Sequence, residues 1–525
     1  MKRSLGRFLS IATSCLVSRV MILSIWLLGC HPLASHAQDT KHPNIVFILA
    51  DDLGYGDVKC FNPEGRIPTP HIDKLAQQGM RFTDAHAASS VCTPSRYAIL
   101  TGRYPWRSEE QQGVLSGYDK PLIDSDRLTV AGLLKNEGYY TACIGKWHLG
   151  MNWPLKPGYD TIKTGWEIDY SRPVQQGPDT RGFHYFYGIS ASLDMPPYLF
   201  IENDRAVSIP SVTKQFPWRK GPAASGFEAV NVLPSITRKA QKTIATQAKK
   251  KRPFFLYLAL PSPHTPIVPD QSFLGKSGMT AYGDYVMETD WAVGQVMKTL
   301  DSMKISDNTI VFFASDNGCT PSVLGKYRLE KSGHYPSYIF RGYKSDIWDG
   351  GHRIPLVVRW PGTVPAGAVS NDLVSLTDFM ATCADILKIT LPGDAAVDSY
   401  TILPALRNEA HEQVRPTIVY ASIGGYFSIQ QGKWKLAFCP GSGGWESPNN
   451  KQAFLKGWPL VQLYDMDTDI TERMNVEAQH PEVVERLTRL MEQYISNGRS
   501  TPGKFERNNV KVDLWKKEYT KNATK

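Results

Sequence analysis

The chain is predicted to be an α/β protein with a large central sheet, mixed but mainly parallel, flanked by helices. Apolar runs typical of strands alternate with amphipathic, helix-like stretches over residues 42–410. Beyond that point the runs shorten, and glycine-containing turns separate them. We therefore expect a main domain over residues 42–410, a smaller C-terminal domain of antiparallel sheet plus helix over 411–500, and a basic tail over 501–525.

The strands of the main domain are predicted from short, continuous apolar runs. The first is Asn44–Ala50 (NIVFILA), and such a run is typical of a strand covered on both faces. Further central strands are expected at 139–144, 254–260, 309–314 and 356–360.

Two helices of the main domain are predicted from capping residues and apolar spacing. One should begin at Pro70, with Thr69 as N-cap, and end at Gly79, because proline suits the first helical turn. The other should cover residues 285–300, where apolar side chains recur at helical intervals.

The C-terminal domain is predicted from four short strands and one amphipathic helix. The strands are expected at 417–422, 426–430, 434–438 and 462–464. One helical face is then marked by Val483, Leu487, Leu490, Met491 and Ile495.

The N-terminus is typical of an exported protein. A basic start precedes the apolar run 20–28, which is too short to span a bilayer, so residues 1–37 are expected to be a signal segment. Residues 35–37 (SHA) suit signal peptidase, whereas 27–30 (LLGC) resembles a bacterial lipobox that would leave Cys30 lipidated. We expect a periplasmic protein, or an outer-membrane lipoprotein if Cys30 is the anchor, with no other membrane contact.

The net charge gives little information about partners. The formal charge is +9, and it falls to about +5 (9 − 4) without the four basic residues of segment 1–37. A mildly basic surface fits an anionic ligand but also many enzymes with neutral substrates. We expect no nucleic-acid partner, and the basic stretch 504–525 is interpreted as a solvated, partly frayed terminus.

Six cysteines follow the leader, and their wide spacing resembles neither a small disulfide scaffold nor a zinc CxxC pair. They are Cys60, Cys92, Cys143, Cys319, Cys383 and Cys439. A disulfide or two would suit an exported protein, and the pairing stays open.

Carboxylate and amide side chains follow two predicted strands. Asp51 and Asp52 come after the first strand, and Asp316 and Asn317 follow the strand at 309–314. Ligands of open α/β sheets bind outside the carboxyl ends of the strands. Oxygen ligands suit a hard cation such as calcium or magnesium better than zinc. The alternative is that both segments are only turns, which asparagine, aspartate and glycine also favour.

Basic and imidazole side chains follow two other predicted strands. Lys146 and His148 lie two residues apart, so on an extended chain both project to one side, where they could bind an anion and move a proton. His264 lies in the proline-rich segment 261–266, where prolines restrict the backbone. The alternatives are a hydrogen-bonded structural histidine for His148 and a rigid surface loop for His264.

The most informative stretch is residues 92–96 (CTPSR). Pro94 suits the first turn of a helix that runs to Gly102, so Cys92 should lie at a helix N-terminus, where negative charge is favoured. An ordinary cysteine at this position could be a nucleophile or a small buried apolar residue.

CTPSR followed by Thr101-Gly102-Arg103 is similar to the C-x-P-S-R signature of type I, formylglycine-dependent sulfatases of the alkaline phosphatase superfamily. The matching segments follow in the family's order: Asp51-Asp52, GKWHLG from Gly145, the loop of His264, SDNG from Ser315, and Lys344 six residues before Gly350-Gly351. The resemblance covers roughly residues 42–500. Residues 188–198 resemble the arylsulfatase A and N-acetylgalactosamine-6-sulfatase branch.

The resemblance implies one calcium ion and a modified nucleophile. Asp51, Asp52, Asp316 and Asn317 would bind calcium together with an oxygen of Cys92, after oxidation of that cysteine to 3-oxoalanine (formylglycine). The oxidation implies a partner, either a formylglycine-generating enzyme or an anaerobic sulfatase-maturating enzyme. The hydrated aldehyde supplies two hydroxyls, one to attack sulfur and one to expel sulfate afterwards.

The resemblance also implies roles for five further residues. Arg96 would hold the hydrated aldehyde, and Lys146 and Lys344 would bind sulfate oxygens, since cations offset charge that grows in the transition state. His148 would assist proton removal from the hydrate, and His264 would protonate the leaving oxygen.

The expected substrate is a sulfated carbohydrate, either a polysaccharide or oligosaccharide fragments. Trp147, Trp166, Trp348 and His352 could face a sugar, although packing explains each equally well. Two alternatives stay open: a phosphatase or phosphonate monoester hydrolase of the same superfamily, and a carbohydrate-binding relic in which Cys92 is unmodified.

Overall fold

The computed structural model describes residues 42–321 and 326–516. The predicted signal segment, with its candidate lipobox at Cys30, lies outside the described residues. Within the described ranges, no helix is both long enough and apolar enough to cross a membrane.

Strands and helices are interspersed from residue 44 to residue 406. In chain order the strands are β1 (Asn44–Ala50), β2 (Met80–Phe82), β3 (Ala85–His86), β4 (Tyr140–Lys146), β5 (Tyr185–Ile189), β6 (Ile201–Glu202), β7 (Arg205–Ala206), β8 (Val212–Phe216), β9 (Arg219–Ala223), β10 (Phe254–Ala259), β11 (Thr309–Ser315), β12 (Leu356–Arg359), β13 (Ala368–Ser370), β14 (Val374–Ser375), β15 (Ile418–Ala421), β16 (Phe427–Gln431), β17 (Trp434–Ala437) and β18 (Gln462–Asp465). The helices are α1 (Pro70–Gln77), α2 (Cys92–Thr101), α3 (Val130–Asn136), α4 (Val232–Lys250), α5 (Ala281–Ser302), α6 (Lys326–Lys331), α7 (Asp349–His352), α8 (Phe379–Leu387), α9 (Leu403–Leu406), α10 (Asn450–Leu455) and α11 (Pro481–Asn497).

The central sheet has the order β13-β2-β12-β11-β1-β10-β4-β5-β6-β7 within the described residues. The five strands from β11 to β5 are parallel to their neighbours, while β12 pairs antiparallel with β11 and with β2. Every residue of β1, β10 and β11 is buried, as their continuous apolar sequences predict. The prediction of a mixed, mainly parallel sheet is confirmed.

The helix at Pro70 forms as expected, but Thr69 does not cap it. The Thr69 hydroxyl accepts from the Lys59 amide (2.9 Å) and has Asp73 Oδ1 at 3.2 Å, so it is committed elsewhere. Asp290, from α5, instead accepts the amide N–H of His71 at 3.0 Å. A distant carboxylate thus performs the capping that the adjacent residue was predicted to perform.

The C-terminal sheet has the order β15-β16-β17-β18 and is antiparallel throughout, as predicted. The face of α11 with Leu487 and Met491 packs on it, in one apolar cluster with Tyr104 and Trp106. Ala98, from α2, belongs to the same cluster. The C-terminal sheet and its helix therefore support the helix that begins at Cys92.

The C-terminal segment is packed where the sequence predicted a frayed terminus. The Arg507 carbonyl accepts from Arg103 Nη2 (2.9 Å), and the Asn509 amide donates to the Arg107 carbonyl (2.8 Å). Leu514 is 5% exposed in the apolar cluster of the C-terminal sheet. These polar contacts and one apolar anchor hold the backbone between Arg507 and Leu514, so this part of the segment is not frayed, although most of its side chains are exposed or half-buried as expected.

The six cysteines of the described chain are all free, and five of them are buried. The disulfides considered from the sequence do not form in this structure.

Candidate active site

Four adjacent parallel strands bring the predicted site residues to one edge of the sheet. The order β11-β1-β10-β4 places Asp316, Asp51 and Lys146 at neighbouring carboxyl ends. His264 follows β10, and the Asp51 amide donates to the carbonyl of Ser262, in the same loop, at 2.9 Å. The crevice at this edge is therefore formed from segments far apart in the chain.

Close packing of the strands at this edge requires a glycine. Gly145 has φ +118°, and a Cβ there would lie 1.8 Å from the Ala259 carbonyl oxygen of the neighbouring strand. Only glycine lets β4 approach β10 this closely just before Lys146.

Acidic ligand atoms gather around Cys92. Single ligand atoms of Asp51, Asp52, Cys92 and His264 all lie within 4.8 Å of one another, and all four residues are buried. Asn317 Nδ2 donates to Asp52 Oδ1 at 2.7 Å, and no described residue bonds to the buried Asn317 Oδ1. An unpaired amide oxygen beside carboxylates fits a hard cation.

The carboxylates repel one another when no cation lies between them. Burial and the neighbouring charge of Asp51 raise the pKa of Asp316 to about 6. Burial also disfavours the charged form of Asp51, but Lys146 and the other nearby cationic side chains together outweigh burial and lower the pKa of that carboxyl. The crowding of the Asp51 and Asp316 carboxylates is the kind of repulsion that a divalent ion between them would reduce.

Three cations, Lys146, Arg96 and Lys344, pair with the carboxylates. Lys146 Nζ donates to both oxygens of Asp51, at 2.9 and 2.7 Å. Arg96 donates to Asp316 Oδ2 from Nε at 3.0 Å and from Nη2 at 2.7 Å. These buried cations are of the kind that can bind an anion's oxygens through charge-assisted hydrogen bonds.

Lys344 links the carboxylates to the cysteine. Its Nζ lies 2.7 and 2.8 Å from the two oxygens of Asp52 and 3.8 Å from Cys92 Sγ. Burial lowers the pKa of Lys344, but the Asp52 carboxylate together with Cys92 and Asp51 outweighs burial and raises it overall. The ammonium is therefore charged throughout the physiological range.

Cys92 is the first residue of α2, as predicted from Pro94, and it is 2% exposed. Burial raises the pKa of the Cys92 thiol despite the nearby lysines. An unmodified Cys92 is therefore a protonated thiol, which is a poor nucleophile.

His148 reaches the site by a route different from the predicted one. Its φ of +57° is left-handed, so the backbone at His148 is not the extended chain that the prediction assumed. His148 Nε2 lies 2.7 Å from the Leu115 carbonyl and must donate to it, while none of the residues in the described ranges bonds to Nδ1. Burial, then the Lys146 charge, holds the pKa of His148 well below its ordinary value. The imidazole is therefore neutral, and its Nδ1 is an acceptor nitrogen to which a donor could bind.

His264 lies beside the acidic cluster. Its Nδ1 donates to the Thr265 carbonyl at 2.7 Å, which orients Nε2 toward Asp52 Oδ2 at 3.6 Å. At 7% exposure it is not the rigid surface-loop residue that the proline-rich sequence also allowed.

The sequence did not single out Asp194 or Arg219. Asp194 is 3% exposed, its Oδ1 lies 3.9 Å from His264 Nδ1, and its Oδ2 pairs with Arg219 from β9. Asp194 falls in the segment 188–198, which carried only a branch resemblance, and no spacing connects it to Arg219.

Three of the four aromatic or imidazole side chains considered for sugar contact are interior residues. Trp147, Trp348 and His352 are each at most 1% exposed, so packing explains them. Trp166 is half-buried.

The comparisons with known proteins agree with this arrangement. Residues 43–389 match the family model described as Sulfatase. The chain belongs to the sulfatase family. Residues 343–497 of this sulfatase also match the model described as N-sulphoglucosamine sulphohydrolase, C-terminal.

Relatives of the sulfatase cover most of its length. It is 35% identical to the N-acetylgalactosamine-6-O-sulfatase of Bacteroides thetaiotaomicron, over 89% of this chain and 96% of that protein. It is 32% identical to arylsulfatase A of Homo sapiens, over 87% and 89%. A solved 6S-sulfatase from Bacteroides thetaiotaomicron, described with the metabolism of multiple glycosaminoglycans, superposes with a TM-score of 0.76 at 34% identity, covering 86% of this chain and 99% of that one. The predicted family, branch and enzyme class are confirmed.

Proposed function

We propose that this sulfatase removes sulfate from 6-sulfated N-acetylgalactosamine or a related residue of a sulfated glycan fragment. The single observation that carries the proposal is the buried cluster in which Lys344 Nζ lies 3.8 Å from Cys92 Sγ and bonds to Asp52. The names of the similar proteins support the sugar, since one is an N-acetylgalactosamine-6-O-sulfatase.

Position 92 is proposed to act after oxidation to formylglycine. The buried, protonated thiol of Cys92 is unsuited to attack an anionic ester, whereas an oxidised side chain would supply an oxygen nucleophile. The maturating enzyme is either the formylglycine-generating or the anaerobic type.

Calcium is proposed to be held by Asp51, Asp52, Asp316 and Asn317, with an oxygen at position 92. The unpaired Asn317 Oδ1 and the crowded carboxylates support this donor set. When bound, the ion would supply positive charge that lowers the repulsion between a sulfate ester and its nucleophile.

The chain's own residues are proposed to complete the chemistry. Lys146 and Lys344 would bind sulfate oxygens, and Arg96 would orient the oxygen substituents at position 92. His148, with its free Nδ1, would accept a proton from the nucleophile. His264 Nε2 would donate a proton to the leaving oxygen of the sugar.

The experiment is a panel assay of released inorganic anion. Enzyme coexpressed with a maturating enzyme is given 6-sulfated N-acetylgalactosamine, its 4-sulfated isomer, and 6-phosphorylated and methylphosphonate esters. We expect sulfate release from the 6-sulfated sugar, loss of that activity with chelator, and recovery with calcium. Faster release of phosphate or phosphonate would instead support the second enzyme class of the superfamily, and no release at all would support the unmodified relic.

Export is proposed from the leader alone. Residues 1–37 would direct the chain to the periplasm, or Cys30 would anchor it to the outer membrane. Membrane fractionation of wild type and Cys30→Ala distinguishes these two locations.

The division into a catalytic domain over 42–410, a C-terminal domain over 411–500 and a tail beyond residue 500 also remains a proposal, since residues from Pro43 onward form one compact unit.

A further inference from the structure

A short loop lies against both candidate catalytic histidines. Residues 190–194 directly follow β5, which ends at the same edge of the sheet as β4. The His148 amide donates to the Ser190 carbonyl at 2.9 Å, and Asp194 Oδ1 lies 3.9 Å from His264 Nδ1. A substrate group held at His264 is therefore within reach of this loop.

The loop carries buried polar atoms that have no partner. Asp194 Oδ1 accepts no hydrogen bond from any described residue, although the residue is 3% exposed. The hydroxyls of Ser190 (4% exposed) and Ser192 (1%) are likewise unpaired within residues 42–321 and 326–516. Unsatisfied buried polar side chains are rare and costly. Three of them within five residues leave this loop with hydrogen-bonding capacity for a bound ligand.

The charged side chains at the loop determine which chemical groups of a ligand it can bind. A carboxylate oxygen repels a sulfate group and accepts from a donor, so Asp194 suits a part of a substrate that carries hydroxyl or N–H groups. Arg219, 49% exposed on its side chain, pairs with the other carboxylate oxygen and keeps further N–H groups for an acceptor. Next to it, Trp218 is 63% exposed and offers an apolar face of the kind on which a sugar ring can lie.

We propose that residues 190–194 and Arg219 form a hydroxyl-recognition subsite, with Asp194 as a specificity-determining residue for the sugar that carries the sulfate. The inference rests on the function proposed above and adds to it the group that is recognised. A donor of the sugar, a hydroxyl or the acetamido N–H, binds Asp194 Oδ1. An aryl sulfate has no such donor and leaves the subsite empty.

The test compares two substrates across matched variants. For Asp194→Asn, we expect kcat/KM on 6-sulfated N-acetylgalactosamine to fall by roughly 10- to 100-fold, the range for losing a hydrogen bond to a buried charge. The kcat/KM on 4-nitrophenyl sulfate should fall far less, so the ratio of kcat/KM on the sugar to kcat/KM on the aryl sulfate should fall. Arg219→Gln, on a half-exposed side chain, should shift the ratio in the same direction. Lys220→Gln removes an exposed charge from the same strand and should leave both values within about twofold.

Deoxy sugars identify the recognised group. One of the 3-deoxy and 4-deoxy analogues lacks the hydroxyl that Asp194 binds, and wild type should have lower kcat/KM on that analogue. On the same analogue, Asp194→Asn and wild type should have equal kcat/KM. Additive losses on both analogues would leave the acetamido N–H as the donor, which the 2-O-acetyl analogue, an ester without that N–H, tests in the same way. Additive losses on all three analogues would overturn the subsite.

The outcomes separate the two proposals. Equal losses on sugar and aryl sulfates, with wild type active on both, would overturn the subsite and leave the proposed function intact. Wild type that cleaves the aryl sulfate but no sulfated sugar would overturn both. Unfolding temperatures of all variants identify any loss that comes from folding.

Discussion

Replacing Lys344 with methionine removes one charge from the centre of the site while keeping the length of the side chain. Lys344 is 5% exposed, and its Nζ contacts both Asp52 oxygens within 2.8 Å, so solvent and salt screen this pair little. Losing one partner of a buried ion pair costs about 3–5 kcal/mol of stability. Losing a charge that stabilises a transition state costs about 100- to 1000-fold in kcat.

The assay is sulfate release, measured beside thermal unfolding, with Lys435→Met as the matched control. Lys435 is equally buried, and its Nζ lies 2.6 Å from Asp349 and 2.7 Å from Glu472, away from Cys92. Both variants should unfold at lower temperature. Only Lys344→Met should lose kcat by more than about 100-fold, whereas the control should stay within a few-fold. Equal loss of kcat in the two variants would refute the role given to Lys344.

Three further predictions follow from other contacts. Asn317→Ala removes the unpaired amide oxygen, so the calcium concentration for half-maximal sulfate release should rise by about tenfold or more; an unchanged titration would contradict the donor set. Burial raises the pKa of Asp290 from near 3.8 to about 7, so its contribution to stability is complete below the ordinary value and is lost as pH rises through 7. The unfolding temperature of Asp290→Asn should therefore fall less than that of wild type between about pH 5 and about pH 8. If the unfolding temperatures of the two proteins changed in parallel with pH, loss of a proton from Asp290 would not contribute to stability. Leu487→Ala, at a fully buried position, should cost about 2–5 kcal/mol in denaturant unfolding while retaining kcat; an undiminished midpoint would show that α11 contributes nothing there.

The central strands and the site residues at their ends were predictable from sequence. A doubly covered strand must be apolar throughout, so runs such as NIVFILA are recognisable without their partners. Parallel neighbours then bring Asp51, Asp316 and Lys146 to one edge, and this convergence needs only the strand ends.

Features that depend on tertiary contact were not predictable. The left-handed φ of His148 turns its ring toward the Leu115 carbonyl, and no spacing reveals that choice. The capping of α1 by Asp290 joins residues more than two hundred positions apart. The same holds for Asp194 and Arg219, because a loop and a hairpin meet only in the folded chain.

The most direct test measures the chemical state of position 92 beside activity. The tryptic peptide 82–96 contains Cys92, and mass spectrometry gives the fraction in which an aldehyde has replaced the thiol. Preparations made with increasing amounts of maturating enzyme should release sulfate in proportion to that fraction, with zero release at zero conversion. Sulfate release at full rate from protein that carries only the thiol would contradict the account.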